Sequence, residues 1–250
     1  MFCALLYHTH DKNPLITTIK MKKYFEPYRL TLLQRAFLTP YFGVGAIMDP
    51  TRGDFVAGLG DVTSVAVIHR LRNQLASSSS GRDLLKKKPL ITVESLNLPE
   101  LRNLPEGTLG RGYVNYMDSH GFSADERSIV RFMDDPDLAY VMARYRQVHD
   151  FWHVLSELPP SELGEIVLKA FEFRVTGLPV CALSALVGPL RLKPNQVSLL
   201  YSTYIPWAIR AGSACRGLLA YPYEENLHKS LGEVREELSF EPPPLLSMDR

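Results

Sequence analysis

The residues best able to do chemistry lie between Val148 and Glu172, in the string VHDFWHVLSELPPSELGEIVLKAFE. His149 and His153 are four apart, and an α-helix of about 3.6 residues per turn brings both rings to one face. Asp150 follows the first ring, and Glu165 lies beyond the Pro159-Pro160 break. Two imidazole nitrogens and two carboxylates could hold one divalent cation. Burying four such groups without pairing them is costly, and a cation offsets that cost directly.

Each residue also has a plainer reading. A histidine on an apolar stripe is commonly a core residue with satisfied nitrogens. Asp150 could pair with Arg146, and Glu165 with Lys169, both at the favourable i,i+4 spacing. Asp150 could instead orient a ring N–H from outside the coordination sphere. The residue types alone leave these readings side by side. HDxxH is not the HExxH of zinc proteases, whose glutamate is the general base, so peptide hydrolysis is not expected. Metal-dependent phosphohydrolases also use a His-Asp pair, but with further ligands on other helices. His8, His10, His69, His120 and His228 form no such pattern. Gly58-Leu59-Gly60 lacks a nucleotide-binding context, and no Walker lysine follows a glycine-rich loop.

The elements that must position these residues read as helices. Asp134 and Asp135 before Pro136 predict a helix start with a carboxylate cap. Leu138, Val141, Met142, Tyr145, Val148, Trp152 and Leu155 carry its apolar stripe to Pro159. His149 falls inside that stripe, His153 at its edge and Asp150 further round. Ser161 is the expected cap of a second helix ending at Thr176 before Gly177. Its stripe is Leu163, Ile166, Val167, Ala170 and Phe171, which leaves Glu165 to one side. Glu165 meets the rings only if the proline turn swings its helix round.

Upstream, an apolar helix from Leu30 is expected to bend or end near Pro40, loosened by Gly43 and Gly45. Asp49-Pro50 and Arg52-Gly53 read as a turn. Thr63 or Ser64 then caps a helix bearing Val67, Ile68, Leu71 and Leu75, and Ser77–Ser80 reads as a surface loop. Residues 81–88 suit a short helix, 92–104 an irregular stretch, and Thr108 the cap of a helix with Tyr113, Tyr116 and Met117. Downstream come a helix after Pro179, another from Pro194 kinked at Pro206 and stopped at Gly212, and an amphipathic one from Leu227 to Leu238. Tyr201, Tyr204 and Trp207 could line a groove for a greasy ligand, or simply belong to the core.

The fold class is therefore all-α, a single multi-helix domain over residues 28–240. Residues 1–27 read as a transit peptide or a disordered amino terminus, with Met21 an alternative start, and residues 241–250 as a Pro-rich tail. The 250 residues carry 28 Lys+Arg against 27 Asp+Glu, a formal +1, and 46% hydrophobic residues. That balance argues against an electrostatic nucleic-acid binder. Apolar runs are too short to span a bilayer. Cys3, Cys181 and Cys215 suit a reducing compartment rather than a disulfide scaffold.

LPEGTLGRGY, RYRQVHDFWH, LGEIVLKAFE, TGLPVC, GPLRL and IPWAIRAG, in this order, together closely resemble the fourth coenzyme Q biosynthesis protein family. The resemblance runs from about Tyr28 to Leu238, and His149, Asp150, His153 and Glu165 fulfil its HDxxH-x11-E motif. It implies a helical fold with a Zn2+ site, or another divalent metal, on those four residues. It further implies a peripheral protein of the mitochondrial inner membrane's matrix face, binding polyprenylated ring intermediates within a complex of ubiquinone-biosynthetic enzymes. The implied reaction removes the ring carboxylate of a polyprenyl-hydroxybenzoate. A homodimer is a further expectation. The amino terminus departs from the pattern, being shorter and less Arg-rich than a typical presequence. A non-catalytic alternative is a lipid-presenting scaffold, with Leu30–Met48 and Leu200–Ile209 as its lipid surfaces.

Overall fold

The computed structural model describes residues 25–49 and 52–244. Residues 1–24 of the expected transit segment, with Cys3, His8 and His10, lie outside the described residues. So do Pro50 of the expected turn and residues 245–250 of the tail.

The helical class holds, with one addition. Strand β1 (Phe25–Pro27) pairs in parallel with β2 (Val130–Met133). Both strands are too short to carry a readable alternation, and they are held by burial of Phe25, Val130 and Met133.

Helix α1 (Leu32–Met48) starts at a Thr31–Gln34 capping box and runs through Pro40 to Met48. Its glycines are contact points rather than weak points. A Cβ on Gly45 would lie 2.4 Å from the Phe55 ring, and one on Gly58 would lie 2.4 Å from the Phe42 ring. These rings interlock α1 with α2 (Gly53–Thr63), a helix where a turn was expected from Arg52-Gly53. Three glycines give α2 poor intrinsic propensity, so its tertiary contacts must hold it. Ser64–Ala66 then forms a 3-10 turn, and α3 (Ile68–Ala76) follows without a side-chain cap, burying Ile68, Leu71 and Leu75. The serine run is not a loop. Ser78 Oγ accepts from Gly81 N at 3.0 Å and caps α4 (Ser79–Lys87). The stretch expected to be irregular contains two single helical turns, Val93–Leu96 and Leu98–Leu101.

Thr108 caps α5 (Leu109–His120), and Asp135 caps α6 (Pro136–Ser156). Ser161 caps α7 (Glu162–Thr176), which ends at Gly177 in the left-handed region. Beyond lie α8 (Pro179–Val187), α9 (Pro194–Leu199), a π turn over Leu200–Tyr204, α10 (Ile205–Ala214) and α11 (Leu231–Glu237). The expected kink is that π turn, with Pro206 in the first turn of α10. Gly212 does not stop α10; it lets the helix approach Arg174 of α7, whose Cβ would lie 2.9 Å from an added methyl.

Helix α6 is the axis of one buried hydrophobic cluster reaching from Phe25 to Phe240. Helices α3, α4 and α5 and strand β2 pack against it, while α7 packs on α8 and α10. Leu200, Tyr204 and Trp207 are buried, and Trp207 stacks on Phe171. This segment is therefore core rather than an open groove, with only Tyr201 and Ile209 among its large apolar residues facing out. Exposed apolar side chains gather instead along α1 and at Leu183, Leu186 and Leu190. Among the described residues no helix is long and apolar enough to cross a membrane.

Candidate metal centre

One helical turn separates His149 from His153 near the end of α6, with their rings edge to face at 4.7 Å. The chain leaves α6 through Glu157, at φ 55°, and re-enters helix at Ser161, whose Oγ accepts from Gly164 N at 3.2 Å. The turn does two jobs. Its Leu158 carbonyl accepts from His153 Nδ1 at 2.9 Å. It also brings Glu165 back, with Oε1 3.0 Å from His153 Nε2 and Oε2 3.7 Å from His149 Nε2. Gly164 permits this return, since a Cβ there would sit 2.1 Å from the Pro159 carbonyl oxygen. Glu165 thus lies off its helix's core stripe because it faces the end of α6, where its side chain stays 37% exposed.

The two rings differ from the helical-wheel order. The His153 side chain is fully buried, whereas that of His149 is 21% exposed. A wheel sees only its own helix. Here Tyr116 of α5 covers the flank and stacks on His153 at 5.1 Å.

Behind His149 lies a residue that sequence reasoning did not assign. Glu172 is fully buried, and its Oε1 is 2.5 Å from His149 Nδ1. Its other oxygen accepts from Lys169 Nζ at 2.7 Å, from Cys181 Sγ at 3.4 Å and from the Tyr145 hydroxyl. Burial alone pushes the Glu172 carboxyl upward, but Lys169 and His149 outweigh it and hold the group well below the usual range. Burial and Lys169 push His149 down, yet Glu172 and Glu165 leave it raised above an ordinary histidine. Glu165 is likewise pushed up by burial, and His153 and His149 bring it down to about 2. Glu172 follows Glu165 by seven residues, about two turns on the same face, and that spacing was its available signal.

Both Nδ1 atoms therefore point at acceptors, a carbonyl and a carboxylate, while both Nε2 atoms turn toward Glu165. A carbonyl can only accept, so Nδ1 of His153 carries a proton, which leaves Nε2 as the nitrogen able to offer a lone pair to a cation. That Nε2 is buried without a hydrogen-bond partner, although Glu165 Oε1 is close. A buried ring nitrogen without a hydrogen-bond partner, facing a carboxylate oxygen, is a place where a cation could bind both. His149, His153 and Glu165 each offer one ligand atom, all within 4.8 Å of one another. The donor set fits a divalent metal of the zinc type.

Asp150 is not in this group. Its Oδ2 accepts from Arg127 Nε at 3.1 Å and from Arg127 Nη2. The i,i+4 pairings also fall elsewhere: Arg146 Nη2 meets Asp61 Oδ1 at 2.6 Å, and Lys169 meets Glu172 rather than Glu165. Arg127 sits before β2, outside any helix pattern, and no local spacing pointed to it.

Residues 24–244 match the sequence profile of a family described as coenzyme Q (ubiquinone) biosynthesis protein Coq4. The mitochondrial ubiquinone biosynthesis protein COQ4 of Yarrowia lipolytica is 43% identical over 249 residues, covering 96% of this chain and 95% of that protein. The corresponding protein of Schizosaccharomyces japonicus is 44% identical over 219 residues, covering 87% of this chain and 92% of its own length. A crystal structure of a candidate ubiquinone biosynthesis protein from Nostoc punctiforme superposes with a TM-score of 0.64 at 24% identity. It covers 80% of this chain and 95% of that one, and supports the fold.

Proposed function

The chain belongs to the coenzyme Q (ubiquinone) biosynthesis protein Coq4 family, and from that premise we propose that it acts in mitochondrial ubiquinone biosynthesis as a divalent-metal-dependent decarboxylase. Its substrate is a polyprenyl-hydroxybenzoate of the 4-hydroxy-3-methoxy-5-polyprenylbenzoate type. The bond between the ring and its carboxylate breaks, carbon dioxide leaves, and the electron pair stays on the ring carbon. A proton takes up that pair; in an oxidative variant one oxygen of dioxygen joins the ring carbon and the other leaves as water, the four electrons coming from the broken carbon–carbon bond and from the phenolic ring, which ends as a quinone. The observation that carries the reading is the convergence of His149, His153 and Glu165 within 4.8 Å, with both Nδ1 atoms already committed to acceptors.

Each residue has a part in holding such a site. The Leu158 carbonyl fixes the tautomer of His153, and Glu172 orients His149. Glu165 supplies the negative ligand at the exposed edge, where a substrate could approach. A bound Zn2+, or another divalent cation, would supply Lewis acidity for a carboxylate or phenolate oxygen. Zinc has no redox chemistry, so an oxidative variant calls for iron, manganese or cobalt, or for oxidation carried by the ring and dioxygen themselves. Asp150 is the fourth member of the family motif, and its carboxylate is held by Arg127.

The partners follow the same premise: the other ubiquinone-biosynthetic enzymes in a multi-subunit complex, a second copy of the chain, and the matrix face of the inner membrane as a peripheral surface. The exposed apolar residues of α1 favour one competing reading, a scaffold that presents prenylated rings without catalysis. Replacing His149 by Ala separates the two. A decarboxylase variant still assembles with its partners but makes no ubiquinone, and a carboxylated precursor accumulates by mass spectrometry. Normal ubiquinone synthesis by that variant would leave the scaffold reading.

A further inference from the structure

Asp150 lies beside the candidate metal centre, yet its carboxylate is spent on something else. Arg127 uses Nε and Nη2 on Asp150 Oδ2. Its remaining donors are equally occupied: Nη1 reaches the carbonyls of Ile91 at 3.1 Å and Ala124 at 2.8 Å, and Nη2 also reaches the Tyr113 hydroxyl at 3.0 Å. Tyr113 is itself clamped by stacking on Phe151 at 4.3 Å. The guanidinium is fixed from four directions. Arg127 and Asp150 side chains are only 14% and 16% exposed, so moving Asp150 onto a metal would strand a largely buried cation.

Glu165 is placed in the opposite way. It sits against the two Nε2 atoms, and no arginine or lysine holds it in an ion pair among the described residues. We propose that Arg127 holds Asp150 outside the coordination sphere, so that the protein supplies His149, His153 and Glu165 and leaves one position for an anionic oxygen ligand. This rests on the metal-site reading above and departs from a four-residue ligand set. The charge balance points the same way. Two neutral rings and one carboxylate leave a dication with a net positive charge, while Glu172 and Lys169 neutralise each other behind it. A carboxylate at the open position completes both the geometry and the charge, as in zinc sites that bind substrate rather than only brace a fold.

The test uses the full-length chain loaded with Co2+, whose visible absorption reports coordination, and benzoate as the probe anion. Loss of an outer-sphere partner of a metal ligand typically costs about 10–100-fold in affinity. Asp150→Asn, which keeps an oxygen facing Arg127, should weaken cobalt binding by less than about tenfold, whereas Glu165→Gln should weaken it by more than about 100-fold. Benzoate should shift the cobalt spectrum of the unmodified chain, a readout that needs no variant to fold. Cobalt binding that suffers as much from Asp150→Asn as from Glu165→Gln overturns the three-ligand assignment alone. A spectrum indifferent to benzoate overturns the open position. A wild-type chain that takes up no cobalt overturns the metal reading and this inference together.

Discussion

Glu172 Oε1 lies 2.5 Å from His149 Nδ1, and this contact joins the face of the candidate metal centre to a charge pair between the fully buried Glu172 and a largely buried Lys169. The carboxylate fixes which ring nitrogen faces Glu165 and makes that nitrogen more basic toward a metal. Glu172→Gln should lower metal affinity about 10–100-fold, measured by competition with a chromophoric chelator. It should also destabilise the fold by about 3–5 kcal/mol, because Lys169 loses its only carboxylate within ion-pair distance among the described residues. Adding Lys169→Met to that variant should recover much of the stability in urea titrations while leaving the affinity low. That split distinguishes orientation of the ligand from general damage.

The sign of the pH dependence follows from the same contact. His149 is raised above an ordinary histidine, and it must be neutral to ligate. Metal affinity should therefore fall as pH falls, starting above the normal histidine range, by about tenfold per pH unit for each ring protonated. The metal-free chain should behave oppositely. A raised folded-state value contributes stability that is full below the unfolded value and is lost as pH rises through the folded one. Thermal melting of metal-free and metal-loaded protein from the ordinary histidine range upward into mildly alkaline pH should thus show opposed trends in this contribution, which His149→Gln abolishes in both.

Much of the frame was readable because its signals are local. Asp135, Ser161 and Thr108 cap the helices where their spacing to an apolar stripe places them, since a cap bonds backbone only two or three residues away. Two histidines four apart announce a shared face for the same reason. Glu165 was tied to them by the family motif, because its approach depends on the angle between two helices. Arg127 meets Asp150 across 23 residues, and Tyr116 meets His153 across another helix, so neither contact leaves a trace in local spacing. Helix α2 was hidden by its glycines, which a sequence shows as breakers and the fold uses for close approach to α1.

The proline turn makes a sharper prediction at Gly164. An added Cβ would meet the Pro159 carbonyl oxygen at 2.1 Å, and a backbone atom cannot rotate out of the way as a flexible side chain can. Gly164→Ala must push α7 away from the turn, and Glu165 is the next residue. Overpacking of this kind costs about 1–3 kcal/mol. Metal affinity should fall with it, although no ligand has been changed. Gly232→Ala, where the nearest neighbour is Ser230 Oγ at 3.9 Å, is the control and should alter neither quantity appreciably.

Helix α1 provides the last prediction, because it is amphipathic in an unusual sense: none of its residues is buried. Leu32, Leu33, Phe37 and Met48 are 87%, 69%, 69% and 78% exposed. Contiguous exposed apolar surface of this kind marks an interaction site rather than ordinary surface. No described helix can span a bilayer, so a peripheral attachment would have to use such a face. Full burial of a large aliphatic side chain is worth about 1.5–3 kcal/mol, and partial insertion into the interfacial region correspondingly less. Changing Leu32, Leu33 and Phe37 together to Gln should therefore weaken sedimentation with phosphatidylcholine–cardiolipin vesicles by at least about tenfold. Because these residues lie on a different element from His149, His153 and Glu165, metal affinity should be unchanged. Vesicle binding that survives the triple change would remove α1 as the membrane-facing surface and shift attention to the exposed Leu186 and Leu190.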